Sequence, residues 1–221
     1  MRYASPNFNE RKAFPDMIIL HYTGMLSTAE ALERLCDKDS QVSAHYLIDE
    51  HGKLYALVDE SKRAWHAGVS SWQKRGDVNS RSIGIEIANK GHEFGYSPFT
   101  TMQIDCVRRL CADVMNRWNI PFYNVLGHAD VAPMRKQDPG ELFDWAHLAR
   151  AGIGLWTDDF CPLAGSVKEN LETIGYDVVD EKAAMTAFCR HFYPDYFNGG
   201  EKAENRLAAV AQKFGREREK N

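Results

Sequence analysis

His21, His128 and Asp138 are side chains of the types that hold a divalent cation, and each falls at the end of an expected element or in a loop of this 221-residue chain. Two imidazoles and one carboxylate leave a fourth tetrahedral position for water, the arrangement of a catalytic rather than a structural zinc site. Zinc so held lowers the pKa of its water to about 7 and polarises a substrate carbonyl, so the chemistry would be hydrolysis. The spacing alone decides little. His21 and His128 are far apart, no compact H-E-x-x-H is present, and eight histidines offer many accidental pairings. On residue types a metal centre and histidines satisfied in the core or at the surface both stand.

The elements that would position these groups can be read from periodicity. The apolar run 17–20 has the length and composition of a buried strand and ends at His21. Residues 27–35 have helical spacing, with Ser27 or Thr28 as N-cap. Strand patterns at 44–49 and 54–58 flank a turn at 50–53. Residues 68–81, polar and irregular around Trp72 and Gly76, resemble an active-site loop. The strand expected at 82–89 puts Ile83, Ile85 and Ile87 on one face and Gly84, Glu86 and Ala88 on the other, so Glu86 is a lone carboxylate with open space beside it. The strongest helix runs over 100–118, with Cys106 and Cys111 on or near its apolar stripe. A further short strand at 124–128 delivers His128.

Strands alternating with helices predict an α/β layer structure for the first two-thirds. Beyond about Gly154 the pattern changes to three short helices, at 163–174, 181–192 and 202–214, which predicts a small C-terminal three-helix domain. The expected division is 1–156 and 157–221. The mixed-sign run 215–220 is expected to be a solvated tail.

Composition excludes several classes. Hydrophobic residues make up 44% and charged residues 26%, the balance of a soluble globular protein. A net charge of -4 gives no general attraction to phosphate backbones or anionic lipid, so no nucleic-acid partner is expected. No apolar run is long enough to span a bilayer, and the first ten residues lack the apolar core of a secretory signal. Five cysteines, an odd number without a C-x-x-C, fit reduced structural thiols. A cytoplasmic location is the expectation from these two features. Composition does not address the oligomeric state.

Six ordered motifs carry a resemblance. They are Leu20-His21-Tyr22-Thr23, the 42–48 segment around His45, the 64–70 segment with Trp65 and His66, Ser82-Ile83-Gly84-Ile85-Glu86, the 127–133 segment beginning Gly127-His128-Ala129-Asp130, and Arg135-Lys136-Gln137-Asp138-Pro139-Gly140. In this order the chain resembles the N-acetylmuramoyl-L-alanine amidases of the AmpD and AmiD type. The resemblance implies an α/β fold, a central mixed β-sheet flanked by helices, related to phage T7 lysozyme and peptidoglycan recognition proteins. It implies zinc held by His21, His128 and Asp138, and cleavage of the bond between N-acetylmuramic acid and L-alanine. Glu86 matches the catalytic glutamate, expected to take a proton from the attacking water and pass it to the leaving amine. Lys136 matches a lysine expected to stabilise the tetrahedral oxyanion. Against these stand a buried structural carboxylate for Glu86 and a loop ion pair for Lys136.

His45, Trp65 and His66 fall in these motifs without being zinc ligands and are read as cleft lining, in competition with core packing. The C-terminal helices resemble a small peptidoglycan-binding-like domain, in competition with a plain packing role. Two rivals remain: a non-catalytic muropeptide-binding module, and a cysteine hydrolase, against which the core placement of Cys106 and Cys111 argues. Within the amidase reading, the AmiD-like second segment points to wall material outside the cytoplasm. The missing signal points instead to recycling of anhydro-muropeptides inside.

Overall fold

The structure, a computed structural model, describes residues 3–220; Met1 and Arg2, at the start of the segment read as lacking a signal core, and Asn221 lie outside them. In chain order the elements are β1 (Phe8–Glu10), β2 (Met17–Tyr22), α1 (Thr28–Cys36), β3 (Tyr46–Ile48), β4 (Leu54–Ala56), β5 (Lys62–Ala64), α2 (Val78–Arg81), β6 (Ser82–Ile87), α3 (Gly91–Phe94) and α4 (Thr101–Trp118). They continue with β7 (Val125–Gly127), α5 (His128–Val131), α6 (Trp145–Arg150), α7 (Val167–Ile174), α8 (Glu181–Phe192) and α9 (Ala203–Arg218). Five strands form one sheet in the order β4-β3-β6-β2-β7, in which β3, β6, β2 and β7 run parallel and β4 returns antiparallel. The expected mixed sheet flanked by helices is therefore present. A small antiparallel pair, β1 with β5, lies apart from it.

Local signals set most boundaries. Ser27 caps α1 by accepting from the Glu30 N–H. Thr100 and Gln103 close a capping box on α4, and Ser166 and Glu169 do so on α7, starting that helix later than its apolar spacing alone suggests. The charged run read as a tail is instead the last turn of α9, as far as Arg218. Mixed charge there marks a solvated helix face.

The alternation in β6 sorts the core. Ile83, Ile85 and Ile87, with Ile18 and Leu20 of β2, pack on one side against Ile104, Val107, Leu110, Cys111 and Val114 of α4 and Trp145 of α6. The opposite side, through Met17, Ile19 and Leu126, packs against Trp72 and then against Phe188 of α8 and Leu207 and Val210 of α9. The C-terminal helices and the sheet thus share one apolar core. No helix among the described residues is long and apolar enough to cross a membrane.

A shared core couples the two segments in unfolding. Phe188→Ala, at a fully buried position, is expected to cost about 3–5 kcal/mol. Guanidinium unfolding followed by fluorescence and by far-UV circular dichroism should show one coincident transition, shifted as a whole in the variant.

Candidate metal centre and active site

His21 is the fifth residue of β2 and Glu86 the fifth of β6, and the two are register partners on adjacent parallel strands. They project from the same face, at neighbouring strand ends. His128 follows β7 directly as the first residue of α5. Asp138 lies in the loop beyond α5 and is tied back by its carbonyl, which accepts from the Ala129 N–H at 2.9 Å. A crevice at the carboxyl ends of parallel strands is where open α/β sheets bind ligands. Here it is a cleft of about 1000 Å³ lined by His21, His66, Glu86, His128, Lys136 and Asp138 among others.

The sequence-expected ligand set converges. His21 Nδ1 lies 2.9 Å from His128 Nδ1 and 2.9 Å from Asp138 Oδ2, and His128 Nδ1 lies 3.0 Å from the same oxygen. All three side chains are buried. Whether these are hydrogen bonds depends on where the imidazole protons are, and the outer partners decide that. His128 Nε2 faces the Ala67 carbonyl at 3.2 Å, which can only accept, so the proton is on Nε2. The His21 proton is fixed through two more residues. The Ser82 hydroxyl donates to the Val78 carbonyl at 2.6 Å, so toward His66 Nε2, 3.1 Å away, it can only accept. His66 therefore carries its proton on Nε2, and its Nδ1 accepts from His21 Nε2 at 3.0 Å.

Both inner nitrogens are left as lone pairs facing a carboxylate oxygen. With both rings neutral, as metal ligands must be, either imidazole can move its proton inward only by giving up its outer bond. Three acceptors within 3.0 Å of one another repel, and a cation between them removes the conflict. The donor set also fits zinc by type and size, since bonds of 2.0–2.1 Å place tetrahedral ligands about 3.3 Å apart. Burial, followed by the neighbouring His128, lowers the His21 pKa to about 4, which keeps it neutral and available as a ligand.

Glu86 Oε2 is buried without a hydrogen-bond partner. Burial holds its carboxyl well above the usual range, the Asp138 charge adds to this, and Lys136 opposes it. Such a group sits between proton acceptor and proton donor. Lys136 is exposed on the cleft rim and forms no ion pair among the described residues, so the loop ion pair weighed above is not made.

Trp65 and His66 line the cleft, Trp65 with its Nε1 donating to Asn9 Oδ1 at 3.1 Å. His45 does not. It is fully buried on the same face of the sheet as Glu86, its ring centre 5.7 Å from that of His66, where its Nδ1 accepts from the Gly84 N–H at 2.9 Å and its Nε2 meets the Lys62 carbonyl and the Arg11 guanidinium. The space expected beside Glu86 is also used differently. A Cβ on Gly84 would lie 2.5 Å from the His66 ring, so the missing side chain seats His66 against the sheet.

Several contributors carried no local signal. Asn79 Oδ1 accepts from the N–H groups of His66 and Ala67 at 3.1 and 2.8 Å, fixing the segment that supplies both outer partners. Arg135 donates to the carbonyls of Ala67 and Val69. The free cysteines offer no competing nucleophile in the core: burial pushes the Cys189 thiol up to about 12 and the Cys111 thiol higher.

A mixed sheet whose parallel strands end in a two-histidine, one-carboxylate cluster beside a proton-poised glutamate defines a hydrolase. Residues 10–141 match the N-acetylmuramoyl-L-alanine amidase family, and the chain belongs to it. It is 37% identical to the N-acetylmuramoyl-L-alanine amidase AmiD of Escherichia coli over 91% of this chain and 84% of that protein. It is also 40% identical to the 1,6-anhydro-N-acetylmuramyl-L-alanine amidase AmpD of Haemophilus influenzae, over 48% of this chain and 55% of that one. Among solved structures, E. coli AmiD in complex with anhydro-N-acetylmuramic acid-L-Ala-D-γ-Glu-L-Lys superposes with a TM-score of 0.78 at 33% identity, covering 95% of this chain and 98% of that one. AmpDh3 of Pseudomonas aeruginosa gives 0.80 at 31% identity, covering 90% and 92%.

Two outcomes are expected from this geometry. Gly84→Ala should overpack His66 and cost about 1–3 kcal/mol in chemical denaturation. The second concerns His45, whose pKa burial and then the Arg11 charge depress from 6.5 to about 3. Between those values the unfolded chain binds a proton that the folded chain refuses, so stability is full above pH 6.5 and declines as pH falls. The slope from one such group is at most about 1.4 kcal/mol per pH unit. Unfolding free energies measured by denaturant titration from pH 7 to pH 4 should fall less steeply in His45→Gln by up to that amount.

Proposed function

We propose that this chain hydrolyses the amide between N-acetylmuramic acid and L-alanine in peptidoglycan fragments, with zinc held by His21, His128 and Asp138. One observation carries the reading: three buried acceptor atoms face one another within 3.0 Å, beside a glutamate oxygen that lacks a partner. When bound, zinc supplies a Lewis acid for the scissile carbonyl and lowers the pKa of the attacking water.

The chain's own residues do the rest. Glu86 Oε2 takes the proton of the water as it attacks and returns it to the departing nitrogen, for which a raised pKa is suited. The Lys136 ammonium, free on the cleft rim, meets the charge that develops on the carbonyl oxygen. Trp65 supplies an apolar face and an indole edge for sugar or peptide. His66 acts behind His21, fixing its tautomer and orientation.

Two relatives point to the substrate. The AmpD proteins are named for the 1,6-anhydro sugar, and the AmiD structure holds an anhydro-muropeptide. We infer the same fragments here, released during wall turnover. All five cysteines are unpaired, which fits a reducing compartment and recycling in the cytoplasm.

Glu86→Gln is expected to bind zinc as the parent does while losing about 100-fold or more in kcat. The assay is release of peptide beginning with L-alanine from anhydro-muropeptides and from intact peptidoglycan, followed by mass spectrometry with a chelator and after zinc is restored. Muropeptide binding without release by the parent would make this a recognition module; turnover indifferent to the chelator would remove zinc from the mechanism.

A further inference from the structure

Two consecutive residues of α8 reach the two segments that carry His128 and Asp138. His191 Nδ1 donates to Asp130 Oδ2 at 2.7 Å, and the same oxygen accepts the Gly127 N–H at 2.7 Å. Asp130 Oδ1 accepts from the Tyr176 hydroxyl at 2.5 Å, in the connection between α7 and α8. Asp130 is 1% exposed and two residues from His128, so a buried carboxylate in the ligand turn is satisfied in part by the C-terminal helices. The preceding residue, Arg190, donates to Gln137 Oε1 at 3.2 Å and pairs with Glu141 at 3.4 Å, on either side of Asp138.

The helix is itself held firmly. His191 stacks on Trp145 at 3.7 Å between ring centres and on Phe192 at 3.8 Å, and the Arg190 guanidinium lies over Phe197. The gap between α8 and the ligand segments holds only about 10 Å³. A shift of α8 would therefore move both segments, and unequally, because the His191 bond ends on α5 and the Arg190 contacts end on the loop beyond it.

We propose that α8 is a positioning element of the metal centre: Arg190 and His191 set the separation of Asp138 and His128, and so the affinity for zinc. The inference rests on the reading of His21, His128 and Asp138 as zinc ligands. It assigns the C-terminal helices a part in metal binding that needs no contact with a polymer. Neither residue lines the cleft.

The test measures zinc dissociation constants by competition with a chromogenic chelator, beside the unfolding midpoint of the metal-free protein. His191→Phe keeps the ring stack and removes the bond to Asp130; Arg190→Met keeps the stem and removes both polar contacts of the guanidinium. Groups that hydrogen-bond a metal ligand directly are worth about 10–100-fold in affinity; Arg190 and His191 act one residue further out, so the expected loss is about threefold to tenfold for each of H191F and R190M. His191→Asn, whose amide nitrogen can stand where Nδ1 stood, should recover most of it. Thr186→Ala, which removes only a hydroxyl bonded to the Lys182 carbonyl within α8, should change nothing. Zinc affinities of H191F and R190M within twofold of the parent overturn the proposal, whatever happens to the midpoint. If H191F does not fold, R190M decides. A parent that binds no zinc overturns this proposal together with the metal reading beneath it.

Discussion

Backbone carbonyls can accept hydrogen bonds and never donate them, and the site depends on two such groups. The Ala67 carbonyl holds the His128 proton on its outer nitrogen, and the Val78 carbonyl does the same for His21 through Ser82 and His66. No charged partner is needed. Because the two carbonyls belong to the stretch between β5 and β6, one in its loop and one at the start of α2, that stretch sets the protonation of both ligands. Asn79 and Arg135 then hold the segment, one through N–H groups and the other through carbonyls.

The sheet supplies the rest by register. Pairing His21 with Glu86 across parallel strands puts an imidazole and a carboxyl side by side without any loop having to close. The same alternation that points them into the cleft sends Leu20, Ile85 and Ile87 into the opposite core. Stability and chemistry are thus read from alternate residues of the same strands. A one-residue slip would exchange them.

Strands, the α4 helix and the face on which Glu86 lies were legible in the sequence, because they follow from short-range periodicity and caps. The ligand set was legible only through the resemblance: nothing local connects His21 to a residue more than a hundred positions away. Gly84 shows the limit well. Its missing side chain read correctly as a gap, but what fills the gap is His66, from a different strand end. His45 sits in a motif rich in site residues and on the same sheet face as Glu86, yet is covered beside His66 and does not reach the cleft, since motif membership does not fix how deep a side chain lies. Asp130 fell in a motif, and Arg190 and His191 in the stretch read as binding-domain-like, without a role of their own, because what they do is a contact made across some sixty residues. The C-terminal helices read as separate by element type, whereas their apolar faces are complementary to the sheet, which only packing reveals.

The connection between these two parts, residues 158–166, is mostly solvent-exposed, while the surfaces it joins are dry and interlocked around Trp72 and Phe188. Covalent continuity is therefore least important where the chain is easiest to reach. The protein has the makings of a split enzyme: two polypeptides, parted in that connection, would each carry an apolar face that only the other can cover. In such a pair, reassembly would be reported by the catalytic centre itself.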